Sequence, residues 1–413
     1  MTRLTDNAAP FGALSGMKII DLTQMLAGPF GTMLLADHGA TVIKVEPPAG
    51  DLTRPSGPFR DDDTQRVLGG YFQSVDRNKY SVCLDLKTQR GREAFKLLVR
   101  DCDAVVENFR AGVMERLGLS YEVLRDINPR LVYGALRGFG DARTGASPYL
   151  DWPAFDVVAQ AMGGIMAITG PDPATPTKVG PGVGDIIPGM MLGFGVLAAI
   201  YRAKITGVGQ FVDVAMTDAV LAVCERTIWQ YSVQGLVPGP EGNHHPFLCP
   251  FGMFPAKDGF VTIAAQQDIF FPILCRQLDA AELSSDPRFC SRDGRKIHRL
   301  ALIECVSART RTFTKAELVE RLGGKIPFGP VMNIGDVRDD EHFRVREMLV
   351  DVDNPGTGPV TIAGVPIKMT ETPGRVARRG PILGEHTREI LLDAGLSETD
   401  VDAIMVESVP ATF

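Results

Sequence analysis

A glycine-rich turn that holds a single carboxylate offers the clearest chemistry in the chain. Residues 180–189 read GPGVGDIIPG and lead into an apolar run over residues 186–201. Glycines let a backbone bend sharply and let a ligand approach it closely. The spacing predicts Asp185 at the N-cap of a helix, with Pro188 in the first turn. Asp185 is either a plain helix cap or a carboxylate beside free backbone N–H groups that could stabilise an oxyanion, and spacing alone leaves both interpretations open.

Basic side chains in the first half of the chain suit a ligand that carries phosphates. They lie near predicted strand ends or in loops, and they are Lys79, Lys87, Arg110 and Arg116. Arginine can bind a phosphate with two parallel hydrogen bonds, although Lys and Arg side chains more often lie on a solvated surface. The turn QMLAGP at residues 24–29 is not the G-x-G-x-x-G dinucleotide fingerprint. The sequence also contains no G-x-S-x-G elbow and no Walker A loop, which disfavours those enzyme classes.

The elements that must position these residues alternate between strands and helices. We predict strands at residues 17–22, 41–46, 81–86, 103–107 and 130–136, and helices at 29–38 and 91–100. Strands separated in this way form a mostly parallel sheet with both faces covered, whose ligands bind beyond the carboxyl ends of the strands. The polar residues predicted at those ends are Gln24, Glu46, Asn108 and Arg137.

The second half of the chain has more frequent prolines and a different order of predicted strands and helices. From about residue 235 prolines break the chain often, and a strand at residues 259–264 precedes helices that reach about Leu322. This pattern predicts a separate, smaller α+β unit. The chain then returns to short strands, at 360–362 and 367–369, and to a last helix after residues 384–387.

The length, net charge and cysteine and histidine content of the chain disfavour several classes of protein. A chain of 413 residues can hold two domains, and its net charge of −7 disfavours nucleic acid as a partner. Residues 1–10 are polar, so we predict no secretion signal; the run over 186–201 is too short for a membrane span and predicts a buried helix. The seven cysteines form no C-x-x-C pair, and the six histidines have no metal-binding spacing. We therefore predict a cytoplasmic protein with reduced thiols, no metal site and no membrane partner.

Short segments occur in a fixed order over nearly the whole chain. They are LSGMKIIDL (14–22), AGP (27–29), GATVIKVEPP (39–48), RNK (77–79), LDLK (84–87), VENFR (106–110), NPR (128–130), GD (184–185), TGVGQ (206–210), DVAM (213–216) and PILGEHT (381–387). Together they resemble the class III CoA-transferases, the family of formyl-CoA, carnitine-CoA and bile-acid-CoA transferases. The resemblance implies a Rossmann-like large domain built from both chain ends (1–225 and 331–413), an inserted small α+β domain (226–330), and an interlocked homodimer.

The same resemblance implies roles for individual residues. Asp185 falls on the family's nucleophile, and Asp156 on the acidic residue across the active site. The implied contacts with coenzyme A, which is a substrate and not a tightly bound cofactor, are Leu26, Ala27, Leu84, Asp85, Leu86, Lys87, Asn108, Phe109, Arg110 and Arg116. Two basic contacts of formyl-CoA transferase fall on Pro47 and Pro153, and residues 241–246 stand roughly where that enzyme has a glycine-rich loop. These departures disfavour formyl-CoA or oxalate as substrates.

The family also contains α-methylacyl-CoA racemases, which need a histidine just before the acidic residue. Phe155 stands there, and a phenyl ring cannot move protons. We therefore predict transfer of CoA from an acyl-CoA, such as succinyl-CoA, to a carboxylic acid, such as a small dicarboxylate. Candidates for binding a second substrate carboxylate are Arg137, His244 and His245. Racemase activity and a non-catalytic CoA-binding protein are the alternatives.

Overall fold

The computed structural model describes residues 11–355 and 357–408. Residues 1–10, where we predict no secretion signal, lie outside the described residues. The chain folds into two compact units. The first contains residues 11–165, 179–229 and the described part of 342–408, and the second contains residues 166–178 and 230–341.

A six-stranded sheet organises the first unit. The helices and strands between residues 18 and 234 are β1 (Lys18–Asp21), α1 (Ala27–Asp37), β2 (Thr41–Glu46), α2 (Gly70–Asp76), β3 (Tyr80–Cys83), α3 (Gln89–Arg100), β4 (Ala104–Glu107), α4 (Val113–Arg116), α5 (Tyr121–Ile127), β5 (Val132–Arg137), α6 (Asp156–Met162), α7 (Val183–Thr206), β6 (Phe211–Ala215), α8 (Met216–Val223) and α9 (Glu225–Gln234). The strand order is β3-β2-β1-β4-β5-β6, and every pairing is parallel. The predicted parallel α/β architecture is confirmed, and the order reverses between β1 and β4.

Alternating strand residues cover the sheet on both faces. Ile20 and Val105 face one core with Phe95 of α3, whereas Ile19 and Ala104 face the other. The second core is completed by residues of α1 and α7. A strand buried on both faces needs apolar residues at nearly every position, which explains the apolar runs in the sequence.

Helix α7 is longer and less buried than the sequence predicts. It spans 24 residues and is long and apolar enough to cross a membrane by length and composition alone, although Leu192, Val196 and Ala199 pack in the core. The predicted span of residues 186–201 was too short because it stopped at charged Arg202. The prediction of a buried helix holds for one face only, since Phe194 is 76% exposed and Tyr201 is 71% exposed.

The remaining elements begin with the second unit. They are β7 (Phe251–Ala256), β8 (Gly259–Ala264), α10 (Phe271–Gln277), α11 (Arg292–Ile297), α12 (Arg299–Thr310), α13 (Lys315–Leu322), β9 (Phe328–Pro330), α14 (Ile334–Asp339), α15 (Glu341–Val345), β10 (Leu349–Val352), β11 (Val360–Ala363), α16 (Thr387–Asp393) and α17 (Glu398–Ser408), with 3-10 turns at Met166–Ile168 and Ala281–Ser284. Strands β7, β8 and β9 form an antiparallel sheet. The strand predicted at residues 367–369 is wrong, because that segment has no strand partner.

The bounds of the two compact units differ from the predicted domain boundaries. Residues 166–178 lie in the second unit, where the carbonyl oxygen of Gly170 accepts a hydrogen bond from the N–H of Gly242, whereas we predict them in the large domain. The second unit also extends to Glu341, beyond the predicted boundary at 330. Helices α16 and α17 return to the first unit, where Leu391 and Ile404 join the core beside α3.

Candidate active site

Asp185 is the third residue of α7, and the N-cap is Gly182. The predicted N-cap position was therefore wrong, because the helix begins within the glycines. Pro188 lies inside the helix and not in its first turn. The start of α7 lies against α6, because a Cβ on Gly184 would meet the Asp156 carbonyl oxygen at 2.6 Å. Glycine at this position allows the approach that brings Asp185 close to α6.

Asp156 is the first residue of α6, and its carboxylate is held in place. Its Oδ1 accepts the N–H of Gly184 at 2.8 Å, and Gln160 Nε2 donates to both carboxylate oxygens at 2.9 and 3.0 Å. Burial, and then the negative charge of Asp156, raise the pKa of Asp185 to about 7. A carboxylate with this pKa is less stabilised than an ordinary one and is a better nucleophile once ionised.

The backbone N–H groups around Asp185 are already bonded. The N–H groups of Asp185 and Ile186 donate to Gly182 O, that of Val183 donates to Pro181 O, and that of Gly184 donates to Asp156. The interpretation in which free N–H groups at the start of α7 stabilise an oxyanion is therefore wrong. In contrast, the N–H of Ala27, in the first turn of α1, has no hydrogen-bond partner among residues 11–355 and 357–408.

A cleft of about 390 Å³ opens beside Asp185 within the first unit. Loops after β1, β4 and β5 supply most of its wall, at the edge where the strand order reverses. This is the position at which open parallel sheets bind ligands. The lining residues are Gln24, Met25, Ala27, Leu52, Asn108, Phe109, Arg110, Ala111, Arg116, Leu136, Arg137, Gly138, Leu150, Asp151, Trp152, Pro153, Ala154, Phe155, Asp185 and Met216.

Two predicted cations of the cleft are available to an anion. Arg110 and Arg116 are exposed, and neither forms an ion pair with a carboxylate in the part of the chain that the structure describes. The Arg116 guanidinium folds back towards Gly112, at 2.9 Å from the position of a Cβ there. An unpaired guanidinium at a cleft wall suits a phosphate.

Two other predicted cations already form ion pairs with carboxylates of the protein. Arg137 donates to Glu107 at 2.5 Å, to Asp141, and to the carbonyl oxygen of Phe109. This pairing speaks against the prediction that Arg137 binds a substrate carboxylate, because its charge is already balanced by two carboxylates. Lys79 is fully buried between Asp21 and Asp76, so its predicted role with phosphates is also wrong.

Five other predicted residues of the first unit are not among the residues that line this cleft. Leu26 caps α1, Leu84 is buried in the core, and Asp85, Leu86 and Lys87 follow β3. The side chain of Leu84 is therefore not available to a ligand. His244 and His245 belong to the second unit, where the Nδ1 of His245 accepts the N–H groups of Phe247 and Leu248. Roles for these residues stay predictions.

Similarity to known proteins identifies the family to which the chain belongs. Residues 14–387 match CoA-transferase family III. The chain belongs to CoA-transferase family III. It is 48% identical over 386 residues to a succinyl-CoA:mesaconate CoA-transferase of Haloarcula hispanica, covering 93% of this chain and 97% of that protein. It is 35% identical over 397 residues to a succinate–glutarate CoA-transferase of Agrobacterium fabrum, covering 95% and 98%.

A solved structure of the family has the same fold. The crystal structure of a CaiB/BaiF family protein from Brucella suis is 34% identical, with a TM-score of 0.83, and covers 93% of this chain and 100% of that one. The resemblance stated from short segments is thus confirmed, and the protein is a CoA-transferase.

Sequence reasoning about this family III enzyme missed Tyr71, on α2. Burial, and then nearby carboxylates with Asp185 first among them, raise the pKa of its phenol. Nothing in the sequence around Tyr71 links it to Asp185, which is 114 positions later. Trp152 was also missed; it lies in the cleft wall, 56% exposed, against the ring of Tyr149 at 4.7 Å. The signal that could have found Trp152 is its position next to Pro153, which falls on a basic CoA contact of formyl-CoA transferase.

Proposed function

We propose that this enzyme transfers CoA from succinyl-CoA to a small dicarboxylate, with Asp185 as nucleophile. The observation that carries the proposal is Asp185 in a cleft with two unpaired arginines, Arg110 and Arg116. The choice of donor and acceptor is supported by the names of relatives that act on succinyl-CoA with mesaconate and on succinate with glutarate.

The reaction proceeds in two balanced halves. The Asp185 carboxylate attacks the thioester carbonyl of succinyl-CoA, the C–S bond breaks, and a mixed anhydride and CoA thiolate form. The thiolate attacks the aspartyl carbonyl, which releases succinate and leaves an aspartyl-CoA thioester. The acceptor carboxylate then attacks that thioester, and the released thiolate attacks the acceptor acyl carbonyl to regenerate Asp185. A carboxylate nucleophile conserves the thioester energy in an anhydride, whereas attack by water would lose it.

The cleft supplies groups for each part of this reaction. In this proposal Arg110 and Arg116 bind phosphates of CoA, and the N–H of Ala27, a residue that lines the cleft, donates to the oxyanion. The raised pKa of Asp185 leaves a substantial ionised fraction near neutral pH. Phe155, the N-cap of α6, lies in the cleft wall where a racemase needs a proton-transferring histidine.

We also propose a cytoplasmic homodimer. Helix α7 presents Met190, Phe194, Tyr201 and Ile205 to its exposed side, spaced four, seven and four residues apart. This spacing is one face of a helix, and an exposed apolar face of this kind is typical of an interface. Light scattering of the purified protein in detergent-free buffer tests this: a monomer, or a need for detergent, contradicts it.

Trapping of the intermediate tests the function. Wild-type enzyme incubated with succinyl-CoA and hydroxylamine should carry a hydroxamate on the peptide that contains Asp185, and Asp185→Ala should carry none. A panel of acceptors, with mesaconate, glutarate and oxalate among them, identifies the acceptor class by the acyl-CoA formed. Modification of a different residue, or wild-type turnover by Asp185→Ala, contradicts the proposal. Loss of the α-deuterium of a 2-methylacyl-CoA without an acceptor acid would instead support a racemase.

A further inference from the structure

The side chain of Asn108 binds the main chain of Gln24. Asn108 follows β4 directly, and its Oδ1 accepts the N–H of Gln24 at 2.8 Å. Its Nδ2 donates to the carbonyl oxygen of the same residue at 2.7 Å. The family resemblance implies that Asn108 contacts CoA. In the structure, however, both polar atoms of the amide already hold the loop after β1.

That loop has a backbone conformation that depends on support. It joins β1 to α1, and Met25 has a φ of 70°, which residues other than glycine rarely adopt. Such a conformation costs free energy and persists where the surroundings fix it. Lys44 Nζ holds the first part of the loop by donating to Thr23 O at 2.8 Å. Asn108 holds the next residue, immediately before the left-handed position.

The same loop forms the wall of the cleft that contains Asp185. Gln24, Met25 and Ala27 all line this cleft. Helix α1, which begins at Ala27, packs so closely on α7 that a Cβ on Gly31 would meet Gly189 O at 2.4 Å. The body of α1 is therefore fixed against the helix of the nucleophile. The loop before it is fixed by Asn108.

We propose that Asn108 is a positioning residue for the nucleophilic step, acting through the main chain of Gln24 and not through a bond to CoA. Its two hydrogen bonds join the loops after β1 and β4, the two strands between which the sheet order reverses. They hold Gln24–Ala27 where this segment meets the thioester carbonyl that Asp185 attacks. The inference rests on the proposed function of Asp185.

Separate measurement of binding and chemistry tests this role. Asn108→Ala should leave the Kd for CoA, measured by calorimetry, at the wild-type value. The single-turnover rate at which saturating succinyl-CoA modifies Asp185, followed by peptide mass spectrometry, should fall about 100-fold, the loss expected when reacting groups are misplaced by about 1 Å. Amide hydrogen exchange in the peptide that contains Gln24 should become faster. Asn108→Ser repeats these measurements should the alanine variant fail to fold.

Asn128 provides a matched control. Its Nδ2 donates to the carbonyl oxygens of Val99 and Cys102 at 3.0 and 2.9 Å, away from the cleft. Asn128→Ala should lower the melting temperature and leave the modification rate of folded enzyme unchanged. A weaker Kd for CoA in Asn108→Ala with an unchanged rate in the bound state would overturn the proposal and make Asn108 a CoA ligand. Wild-type enzyme that never modifies Asp185 would instead overturn the proposed function.

Discussion

The carboxylate of Asp156 accepts the backbone N–H of Gly184 at 2.8 Å, which holds a second negative charge beside the residue that precedes Asp185. Burial and this charge together raise the pKa of Asp185 to about 7. The same hydrogen bond removes one N–H from the start of α7, where it could have stabilised the Asp185 carboxylate. Asp156 thus both orders the turn and makes the proposed nucleophile more basic.

Asp156→Asn should shift the pH dependence of the enzyme. The amide keeps an oxygen that can accept the Gly184 N–H but removes the charge, so the pKa of Asp185 falls. Because Asp185 must be ionised to attack, the acid limb of kcat/KM should move to lower pH. The pKa of Asp185 in this variant should stay above the usual range of carboxyl groups, because burial is the larger cause of its shift. A pH profile of initial rates checks this, and an unmoved limb would contradict the coupling.

Asp185→Asn should abolish transfer and stabilise the folded protein. Since the folded-state pKa of about 7 lies above the ordinary value of 3.8, ionisation of Asp185 favours unfolding progressively between these two pH values. The variant should therefore exceed the wild type in free energy of unfolding by on the order of 2–4 kcal/mol above about pH 7. Below about pH 4 the two proteins should be equally stable. Denaturant unfolding at both extremes measures the difference, and equal stability at high pH would contradict the shift.

Local patterns predicted the frame of the site well. The strand at residues 41–46 and the cleft edge at Gln24 and Asn108 were correct, because buried parallel strands have a strong apolar signature. The start of α7 was misplaced because several adjacent glycines allow the backbone to enter a helix at more than one residue.

Pairing between distant residues could not be predicted. Arg137 and Lys79 are residue types that often bind anionic ligands, and only the fold shows that carboxylates of the protein already pair with them, Glu107 of β4 with Arg137 and Asp21 of β1 with Lys79. Glu107 lies 30 positions before Arg137, and Asp21 lies 58 positions before Lys79. No local periodicity encodes contacts of that range.

Arg116→Ala should weaken binding of the nucleotide part of CoA. Arg116 has no ion pair within the described residues, so a phosphate gains a charge-assisted hydrogen bond at little cost. We expect the KM for succinyl-CoA to rise about 10- to 100-fold. The KM for succinyl-pantetheine, which lacks the nucleotide, should not change. Arg125→Ala, on the exposed side of α5, is the control and should leave both values unchanged; equal effects of Arg116→Ala on both substrates would argue for a structural role.

Gly184→Ala should misplace the nucleophile while the sheet stays intact. The added Cβ would lie 2.6 Å from the Asp156 carbonyl oxygen and 3.1 Å from Ala159 Cβ, so the first turn of α7 must move away from α6. We expect kcat to fall about 100-fold, because a displacement of about 1 Å is enough to lose a near-attack geometry. Gly180→Ala is the matched control in the same segment, since a Cβ there meets nothing within 4 Å. Steady-state rates, with circular dichroism to check the fold, compare the two variants, and equal activity would mean that the approach of α6 to α7 does not position Asp185.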